Sequence, residues 1–321
     1  MRLKLLVISI ILGTYITGCS TSTAREHELD EEAKREGTCT SAYSKRDFKL
    51  AVRLCEALAN QGNPDGQFRL GEMHYFALGT MRDYQEAANW YRQAANQGIV
   101  QAQEQLGVLY ENGEGVVQNF AEAAKWYQDA VLAGSHEAQN NLAVMFELGR
   151  GLPQNVERAV NLYRDAAEGG NVKGHYNLAR MYDSGEGVAE DTAEAIRLYT
   201  IAAQRGLAES QFMLAVKYET GQGVPRDDVS ALKWYRQAAE HGHIRSGILL
   251  GWRYREGDLV PRDQIKSFAY FNLAAALGSE KAKHGLNLLT PTLSDEEIGN
   301  GQLYSKTVWQ RYQANKINMN Q

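Results

Sequence analysis

Apolar residues follow two successive helical patterns in a stretch that recurs along most of the chain. In residues 101–136 they fall at every third or fourth position from Ala102 to Tyr110, and again from Ala123 to Val131. That spacing is typical of amphipathic helices. Gly-Glu-Gly at 113–115 interrupts the pattern between the two stretches, and Gly134 follows the second, where a glycine commonly ends a helix. The stretch therefore predicts a helical hairpin.

The hairpin pattern repeats with a period of 36 residues. The hexapeptide WYRQAA stands at 90–95 and again at 234–239, and the offset of 144 residues is four times 36. Alanines and glycines recur in the same register, without an insertion, from 65 to 280. A period of about 20 to 50 residues is typical of repeat arrays. Because one hairpin cannot bury its apolar faces alone, the hairpins must stack. We therefore predict an all-α fold, an α-solenoid of stacked hairpins.

Each predicted second helix follows a residue that can cap it. Asp and Asn side chains accept the free N–H groups of a helix start, and they occupy six positions spaced 36 residues apart: Asp83, Asn119, Asn155, Asp191, Asp227 and Asp263. Glutamates three residues later indicate a capping box in three repeats: Glu86, Glu122 and Glu194. Small residues on the first helices, such as Gly107 and Ala143, are expected to let the two helices of a hairpin approach closely.

The combined pattern A-x-x-x-L-G-x-x-Y-x-x-G-x-G-V-x-x-D-x-x-x-A-x-x-W-Y-x-x-A-A-x-x-G resembles the Sel1-like repeat, a relative of the tetratricopeptide repeat with a longer loop. The resemblance covers six repeats. It implies a right-handed α-solenoid and an adaptor that assembles protein complexes. Departures concentrate in the first and sixth repeats: His74, Ala77, Thr80-Met81 and Leu259. Because Ala77 and Leu259 replace glycines, we expect altered loops and helix ends in these two repeats.

The chain divides into five predicted parts. They are a signal peptide at 1–18, a tether at 19–30, an N-terminal capping hairpin at 31–64, six repeats at 65–280, and C-terminal capping helices at 281–321. In the last part, Ser294 and Glu297 have the spacing of a capping box at the start of a helix that runs towards Tyr312. Terminal units with a polar outer face are what a solenoid needs for solubility.

The N-terminus MRLKLLVISIILGTYITGCS has the features of a secretion signal. A short basic region precedes an apolar stretch from Leu5 to Ile16, which is too short to span a bilayer comfortably. Ile16-Thr17-Gly18-Cys19 resembles a bacterial lipobox, which implies lipidation of Cys19; an ordinary signal peptide with an incidental cysteine is the alternative. Ser20 after the cysteine resembles an outer-membrane signal. We expect an outer-membrane lipoprotein in the bacterial cell envelope, facing the periplasm.

Charge and composition limit the classes of partner and of functional site that we expect. The formal net charge is −5 and no block of Lys or Arg is present, which argues against nucleic acid. No nucleophile elbow, zincin or Walker sequence occurs, so we predict no catalytic, cofactor or metal site, and a monomer that binds a protein or peptide. His241-Gly-His243 is interpreted as a solvated turn. The alternative is a β-lactam-binding or β-lactam-hydrolysing enzyme, as described for cysteine-rich Sel1-like proteins; this chain has only three cysteines.

Cys39 and Cys55 are the cysteines of the predicted N-terminal hairpin. Asp47, taken as its helix cap, makes the loop about four residues shorter than in the other repeats. Cys39 then falls at the small position that Gly107 occupies elsewhere, and Cys55 falls at the position of Tyr91 on the facing helix. Two facing positions of this kind can meet the Cα separation of about 4.4–6.8 Å that a disulfide requires. A disulfide and a pair of buried free thiols both remain open.

A partner-binding groove is predicted on the first helices. The concave face of a tetratricopeptide-like solenoid is lined by these helices, and the positions that face it include Phe68, Glu72, Tyr75, Phe76, Glu104, Glu111, Tyr176, Arg180, Phe212, Trp252 and Arg255. Exposed aromatic side chains are frequent hot spots of binding. Acidic residues crowd the middle and arginines the end, which predicts an extended ligand of mixed charge. Phe68, Tyr176 and Phe212 could equally be family consensus, and Trp252 could belong to the core.

Overall fold

A computed structural model describes the backbone of residues 38–319 and the side chains of residues 38–315. Sixteen helices and one short 3₁₀ turn, with no strand, make up this part of the chain. Helix α1 covers 38–44. The others are α2 Phe48–Ala59, α3 Pro64–Phe76, α4 Tyr84–Asn96, α5 Val100–Asn112, α6 Phe120–Leu132, α7 His136–Leu148, α8 Val156–Glu168, α9 Val172–Ser184, α10 Thr192–Gln204, α11 Ala208–Thr220, α12 Asp228–Glu240, α13 Ile244–Glu256, α14 Gln264–Ala276, α15 Glu280–Leu289 and α16 Asp295–Met319, with the 3₁₀ turn at Thr290–Thr292.

The signal peptide, Cys19 and the tether lie outside the described residues, as do 31–37 and the last two residues. None of the helices from 38 to 319 combines the length and the apolarity that are needed to cross a bilayer. The predicted fold class is confirmed: the chain is a series of helical hairpins of the solenoid class.

The described chain forms two compact units. The N-terminal unit extends to Ala138 and includes Arg150–Pro153, and the C-terminal unit comprises Gln139–Gly149 and the residues from Gln154 onward. Within each unit, buried alanines, leucines and tyrosines form the core between successive helices.

A buried aromatic ring on the second helix packs against a small residue on the first helix of its hairpin. A Cβ added to Gly107 would lie 2.5 Å from the ring of Tyr127, and one added to Gly71 would lie 2.7 Å from Tyr91. Both tyrosines are completely buried. This contact explains why the sequence keeps the first-helix position small.

The Asp and Asn caps form as predicted, but the capping boxes do not. The Asn119 side chain accepts hydrogen bonds from the backbone N–H groups of Ala121 and Glu122. Its own backbone N–H, which Glu122 would have to bind in a capping box, instead donates to the Tyr110 carbonyl oxygen at 2.9 Å. The Glu122 carboxylate therefore pairs with Lys125 at 2.5 Å. Glu194 behaves in the same way and pairs with Arg197, so the capping-box interpretation was wrong for the repeats.

The loops of the first and sixth repeats also differ from expectation. Ala77 (φ 59°, ψ 41°) ends α3 in the left-handed conformation that Gly113 adopts at the end of α5. Leu259 likewise has φ 59°, close to the 69° of Gly115 at the equivalent position. The expected change of loop shape was therefore wrong: the loops keep their conformation and accept a strain of about 1–2 kcal/mol per residue.

The two ends of the described chain are built differently from the repeats. Helices α1 and α2 are joined by a short turn in which Arg46 has φ 61°. At the other end, Ser294 and Glu297 bond reciprocally, with backbone N–H groups donating to the partner's side chain at 2.8 and 3.2 Å. The capping box predicted there is present, because no loop bond uses these groups. Helix α16 then packs on α14 and α12, and Arg311 reaches Glu240 at 2.9 Å.

Candidate functional site

The candidate site is a set of residues that we call the first-helix row. It consists of Phe68, Glu72 and Tyr75 and of the residues at the equivalent positions, 36 residues apart, on the following first helices. These residues are Phe68, Glu72 and Tyr75 on α3, Glu104, Val108 and Glu111 on α5, Asn140, Val144 and Glu147 on α7, Tyr176, Arg180 and Asp183 on α9, Phe212, Val216 and Glu219 on α11, and Ile248, Trp252 and Arg255 on α13. Most of these side chains are half-buried, while Asn140 and Glu147 are buried. The parts in the two units are described separately.

In the N-terminal unit, aromatic rings dominate the row on α3. Phe68 packs on Tyr91, with 5.8 Å between ring centroids. Tyr75 contacts the rings of Phe76 and Tyr84 edge-on, at 4.8 and 5.2 Å. Phe76, which adjoins the row, is 49% exposed. The neighbouring rings of Tyr75, Phe76 and Tyr84 form an apolar surface that a partner side chain can cover.

The Tyr75 hydroxyl is held in place by an acid from the loop of the next repeat, between α5 and α6. It donates to Glu114 at 3.0 Å. Burial, followed by this hydrogen bond, raises the pKa of Tyr75 to about 12. Beside it, Glu72 forms an ion pair with Arg69 of its own helix at 2.7 Å. The polar groups of this part of the row are therefore committed to contacts within the unit.

The acids of α5 are also engaged. The Glu104 carboxylate accepts a hydrogen bond from the Ser135 hydroxyl. Burial raises the pKa of Glu104, and the bond from Ser135 partly offsets this effect. Glu111 accepts a hydrogen bond from the Tyr127 hydroxyl at 3.1 Å and lies 3.8 Å from Arg150. The 3.8 Å separation makes the ion pair of Glu111 a loose one, and the Glu111 side chain is 25% exposed.

In the C-terminal unit, three acids of the row form ion pairs with the next first helix. Arg180 donates to both carboxylate oxygens of Glu147 at 2.7 Å. Lys217 pairs with Asp183, and Arg253 pairs with Glu219. The charge that the sequence placed in the middle of the groove is thus largely neutralised inside the protein.

Lys217 and Arg253 were not predicted as functional or structural charges. They are 2% and 5% exposed and stand where the other repeats hold Met73, Leu109 and Met181. A cation in a buried apolar column must find a partner, because an unpaired buried charge is costly. That argument was available from the sequence alone and would have predicted that both cations are paired, although not with which acids.

Tyrosines of the second helices add hydrogen bonds to two of these acids. The Tyr163 hydroxyl donates to Glu147 at 2.7 Å, and the Tyr235 hydroxyl donates to Glu219 at 2.5 Å. Burial raises the pKa of Tyr163 far above its usual value, with a further contribution from Glu147. The hydroxyl therefore stays protonated and remains a donor throughout the physiological pH range.

Aromatic rings on α9, α11 and α13 complete the row in the C-terminal unit. Tyr176 packs on Tyr199, with 5.9 Å between ring centroids. Phe212 contacts Tyr235 and, at 4.4 Å between centroids, His243. Tyr176 and Phe212 are both half-buried.

Trp252 belongs partly to the core of the C-terminal unit. Its ring meets Phe271 edge-on, with 5.2 Å between centroids, and it packs against a buried cluster that includes Leu289. Trp252 is therefore less free than the sequence suggested, and its removal is expected to disturb packing as well as the row.

A disulfide joins Cys39 to Cys55, with Cα atoms 5.1 Å apart. It links α1 to α2 at the place where the other hairpins bring a small residue against an aromatic ring. Cys39 and Cys55 are both buried, together with Leu58 and Met73.

Features that would indicate catalysis or metal binding are sparse. Among residues 38–315, no group of three His, Cys, Asp or Glu side chains is placed to hold a metal ion. His241 Nδ1 lies 2.9 Å from the Gln237 carbonyl oxygen, and His243 Nδ1 lies 2.8 Å from the Ser246 hydroxyl. Both histidines line a shallow depression of about 340 Å³ between two turns of the C-terminal unit. Burial lowers the pKa of His243, which favours its neutral form.

Comparison with known proteins finds one repeat family along most of the chain. A family model described as Sel1 repeat matches seven segments: 37–63, 64–99, 100–135, 136–171, 172–207, 208–243 and 248–279. The first of these covers most of the segment predicted as a capping hairpin. No curated protein matches the chain in sequence.

Solved structures of several bacterial proteins are similar to this chain. A Sel1 repeat protein from Oxalobacter formigenes is 31% identical, with a TM-score of 0.70 over 75% of this chain and 96% of that one. A protective antigen present in uropathogenic Escherichia coli strains is 27% identical, with a TM-score of 0.38 over 85% of this chain and 73% of that one. An immunity protein from Pseudomonas aeruginosa is 20% identical, with a TM-score of 0.49 over 68% and 82% of the two chains.

Proposed function

Because the chain belongs to the Sel1 repeat family, whose solenoids are generally scaffolds for protein–protein interaction, we propose that it is an envelope-anchored adaptor that binds a protein or peptide segment along the first-helix row. The observation that supports this best is the series of half-buried side chains on one helix of each hairpin. Phe68, Tyr176 and Phe212 each rest one side on a buried tyrosine of the second helix.

A side chain that is held in place loses little conformational freedom when a partner covers it. The rings of the row are held by packing, and several of its polar groups are held by ion pairs or by tyrosine hydroxyls. Preorganisation of this kind reduces the entropic cost of binding. An extended segment is the occupant that suits a row spread over successive helices, because it can contact one or two residues of each.

The proposed location depends on the N-terminal sequence. A basic start, an apolar stretch and Ile-Thr-Gly-Cys at 16–19 support export and lipidation of Cys19. Two or more acyl chains make anchoring stable. Fractionation of cells that express the wild type and Cys19→Ala tests the anchor. We expect the wild type with membranes and the variant soluble in the periplasm or unprocessed; wild-type protein in the cytosol with residues 1–18 intact would reject it.

Site-specific photocrosslinking in cells tests the binding surface. Benzoylphenylalanine replaces Phe76 beside the row in the N-terminal unit, and Val216 in the row of the C-terminal unit. Matched controls replace Leu132 on α6 and Val229 on α12, which are 86% and 78% exposed on second helices. We expect discrete adducts from the first pair only. Because the control positions are more exposed, random collisions would favour them; adducts at the controls alone, or at none of the four positions, contradict the proposal.

A further inference from the structure

The row of the C-terminal unit presents less free negative charge than its sequence indicates. Its three acids on α7, α9 and α11 are paired with Arg180, Lys217 and Arg253. Two of these cations are buried, so the pairs are shielded from exchange with solvent ions. The charge that a ligand meets is therefore set by residues outside these pairs.

Helix α13 has a different charge from the first helices before it. Arg245 precedes the row residues on the same stripe of the helix, and the stripe reads Arg245, Ile248, Trp252 and Arg255. The equivalent stripe of α11 reads Glu209, Phe212, Val216 and Glu219. Both acidic ends are thus replaced by arginine. Helix α15 continues the change with Lys281 at the position of Arg245, and its side chain is exposed.

Both arginines of the stripe lie against an aromatic ring. The Arg245 guanidinium carbon is 5.0 Å from the ring centroid of Phe212, and that of Arg255 is 5.0 Å from the ring centroid of Trp252. Stacking occupies a face of the planar guanidinium and leaves N–H donors along its edge. Those donors match the geometry of a carboxylate, which accepts two parallel hydrogen bonds.

Nearby acids do not cancel this positive charge. Arg255 lies 3.7 Å from Glu256, beyond hydrogen-bonding distance, and Glu256 is 64% exposed, so the pair is loose and screened by water. Glu209 lines the same depression as Arg245. Arg245 is itself exposed, as is Lys281 on the next first helix. The balance of charge at α13 and α15 is positive.

We propose that the part of the row on α11 and α13 binds an acidic, extended protein segment. This inference rests on the proposed function and specifies the chemistry of the partner. Arg245 and Arg255 are ten positions apart, which corresponds to about 15 Å of helix. An extended chain covers that distance with about four or five residues. The segment therefore has two carboxylates four or five residues apart, with apolar side chains between them that pack on Phe212, Ile248 and Trp252.

Two synthetic peptides test the charge preference. The acidic probe is fluorescein-labelled Gly-Gly-Glu-Ile-Pro-Ile-Glu-Gly-Gly, in which proline disfavours a helix; its twin has lysine in place of both glutamates. Fluorescence anisotropy is measured with the purified full-length protein in detergent. We expect the acidic probe to bind roughly tenfold more tightly than the twin, with the difference shrinking as salt is added. Equal binding, tighter binding of the twin, or no saturable binding of either overturns the inference.

Charge reversal locates the binding. The double variant Arg245→Glu, Arg255→Glu is expected to lose the preference for the acidic probe and to favour the lysine twin. Arg82→Glu is the matched control, because Arg82 is also exposed and stacks on a ring, that of Tyr84, at 5.7 Å, but lies outside the row. Arg245→Glu alone serves if the double variant melts early. Unchanged preference in a folded variant, or equal loss in the control, overturns the inference.

The crosslinking described above separates this inference from the proposed function. If adducts form at Val216 and the crosslinked partner segment contains paired acids, the adaptor function and the acidic partner are both supported. If adducts form there with a basic or uncharged segment, the adaptor function stands and the acidic partner is wrong. If the row gives no adducts in cells, the adaptor function fails, whatever the synthetic peptides do.

Discussion

The N-terminal hairpin and the second repeat hold two helices together at the same place by different means. In α5 and α6, Gly107 allows the ring of Tyr127 to fill the space between the helices. In α1 and α2, a disulfide between Cys39 and Cys55 occupies that place. The ring depends on neighbouring repeats to enclose it, and no described helix precedes α1. The comparison shows that a covalent bond can hold two helices together at the place where another hairpin of the same chain uses a packed ring.

The largest effect is expected from removing the ring. Tyr127→Ala should lower the free energy of unfolding by about 4 kcal/mol, because a completely buried aromatic side chain leaves a cavity. Urea denaturation followed by circular dichroism measures this value. Tyr127→Phe is the control, since it keeps the ring and loses only the hydrogen bond to Glu111; its expected cost is about 1 kcal/mol. A cost below 1 kcal/mol for the alanine variant would mean that the ring does not hold the hairpin.

Removing the disulfide should lower the free energy of unfolding somewhat less than Tyr127→Ala does. Its cysteines are 16 residues apart, and a loop of that size accounts for about 3 kcal/mol in the chain-entropy model. Cys39→Ser with Cys55→Ser should expose the turn at Lys45 and Arg46 to trypsin, while cleavage in α5 and α6 stays unchanged. Intact-mass measurement before and after reduction checks the bond first: a gain of two hydrogen masses is expected, and no gain would show free thiols.

The contact between Gly107 and the ring can be tested from its other side. Gly107→Ala places a methyl group 2.5 Å from the Tyr127 ring. Overpacking costs about 1–3 kcal/mol, offset by the better helix propensity of alanine, about 1 kcal/mol. A net loss of about 1 kcal/mol is expected in urea denaturation. Ala143→Gly is the reverse change at the equivalent position, where alanine already fits. It should cost about 1 kcal/mol through helix propensity and somewhat more through loss of a completely buried methyl group. A stabilised Gly107→Ala variant would show that the hairpin opens easily.

The smallest effect is a gain in stability next to the N-terminal hairpin. Ala77 ends α3 with φ 59°, a conformation that glycine adopts without steric cost. Ala77→Gly should raise the free energy of unfolding by up to about 1 kcal/mol. Ala87→Gly, inside α4, is the control and should lower it. If Ala77→Gly also destabilises, the left-handed conformation at this helix end is relaxed in solution.

Much of this fold could be predicted because its signals are local. A cap, a glycine turn and an aromatic pair fall within one 36-residue period, and six copies in register fix the hairpins. The ion pairs could not be read in the same way, since Glu219 and Arg253 are 34 residues apart and meet only when repeats stack. The prediction of a ligand of mixed charge counted Glu219 as a free charge of the groove. It did not consider that Arg253 stands in a buried apolar column and needs an acidic partner.

The loops of the first and sixth repeats and Trp252 show a second limit of prediction from the sequence. Ala77 and Leu259 lack the freedom of glycine, yet their loops keep the conformation seen in the other repeats because the surrounding backbone hydrogen bonds hold it. Trp252 was predicted to line the groove because the equivalent positions hold no aromatic residue: they are Glu72, Val108, Val144, Arg180 and Val216. Its contact with Phe271 lies inside the sixth repeat, but the buried cluster against which it packs also contains Leu289 of α15, beyond the last of the six repeats. Local patterns cannot report contacts made by elements outside their period.

The backbone bond that closes each loop has a consequence for the gene. From Asp83 to His74, and in every repeat to Asp263 and Tyr254, the N–H of the capping residue donates to a carbonyl oxygen nine positions earlier. A change that keeps this bond keeps the length of the loop, so a gain or loss of one whole period is the change in length that leaves it intact. Recombination between the two DNA segments that encode WYRQAA would delete 144 residues, four complete repeats. In the shortened protein each remaining loop of this kind would still be closed by its own bond.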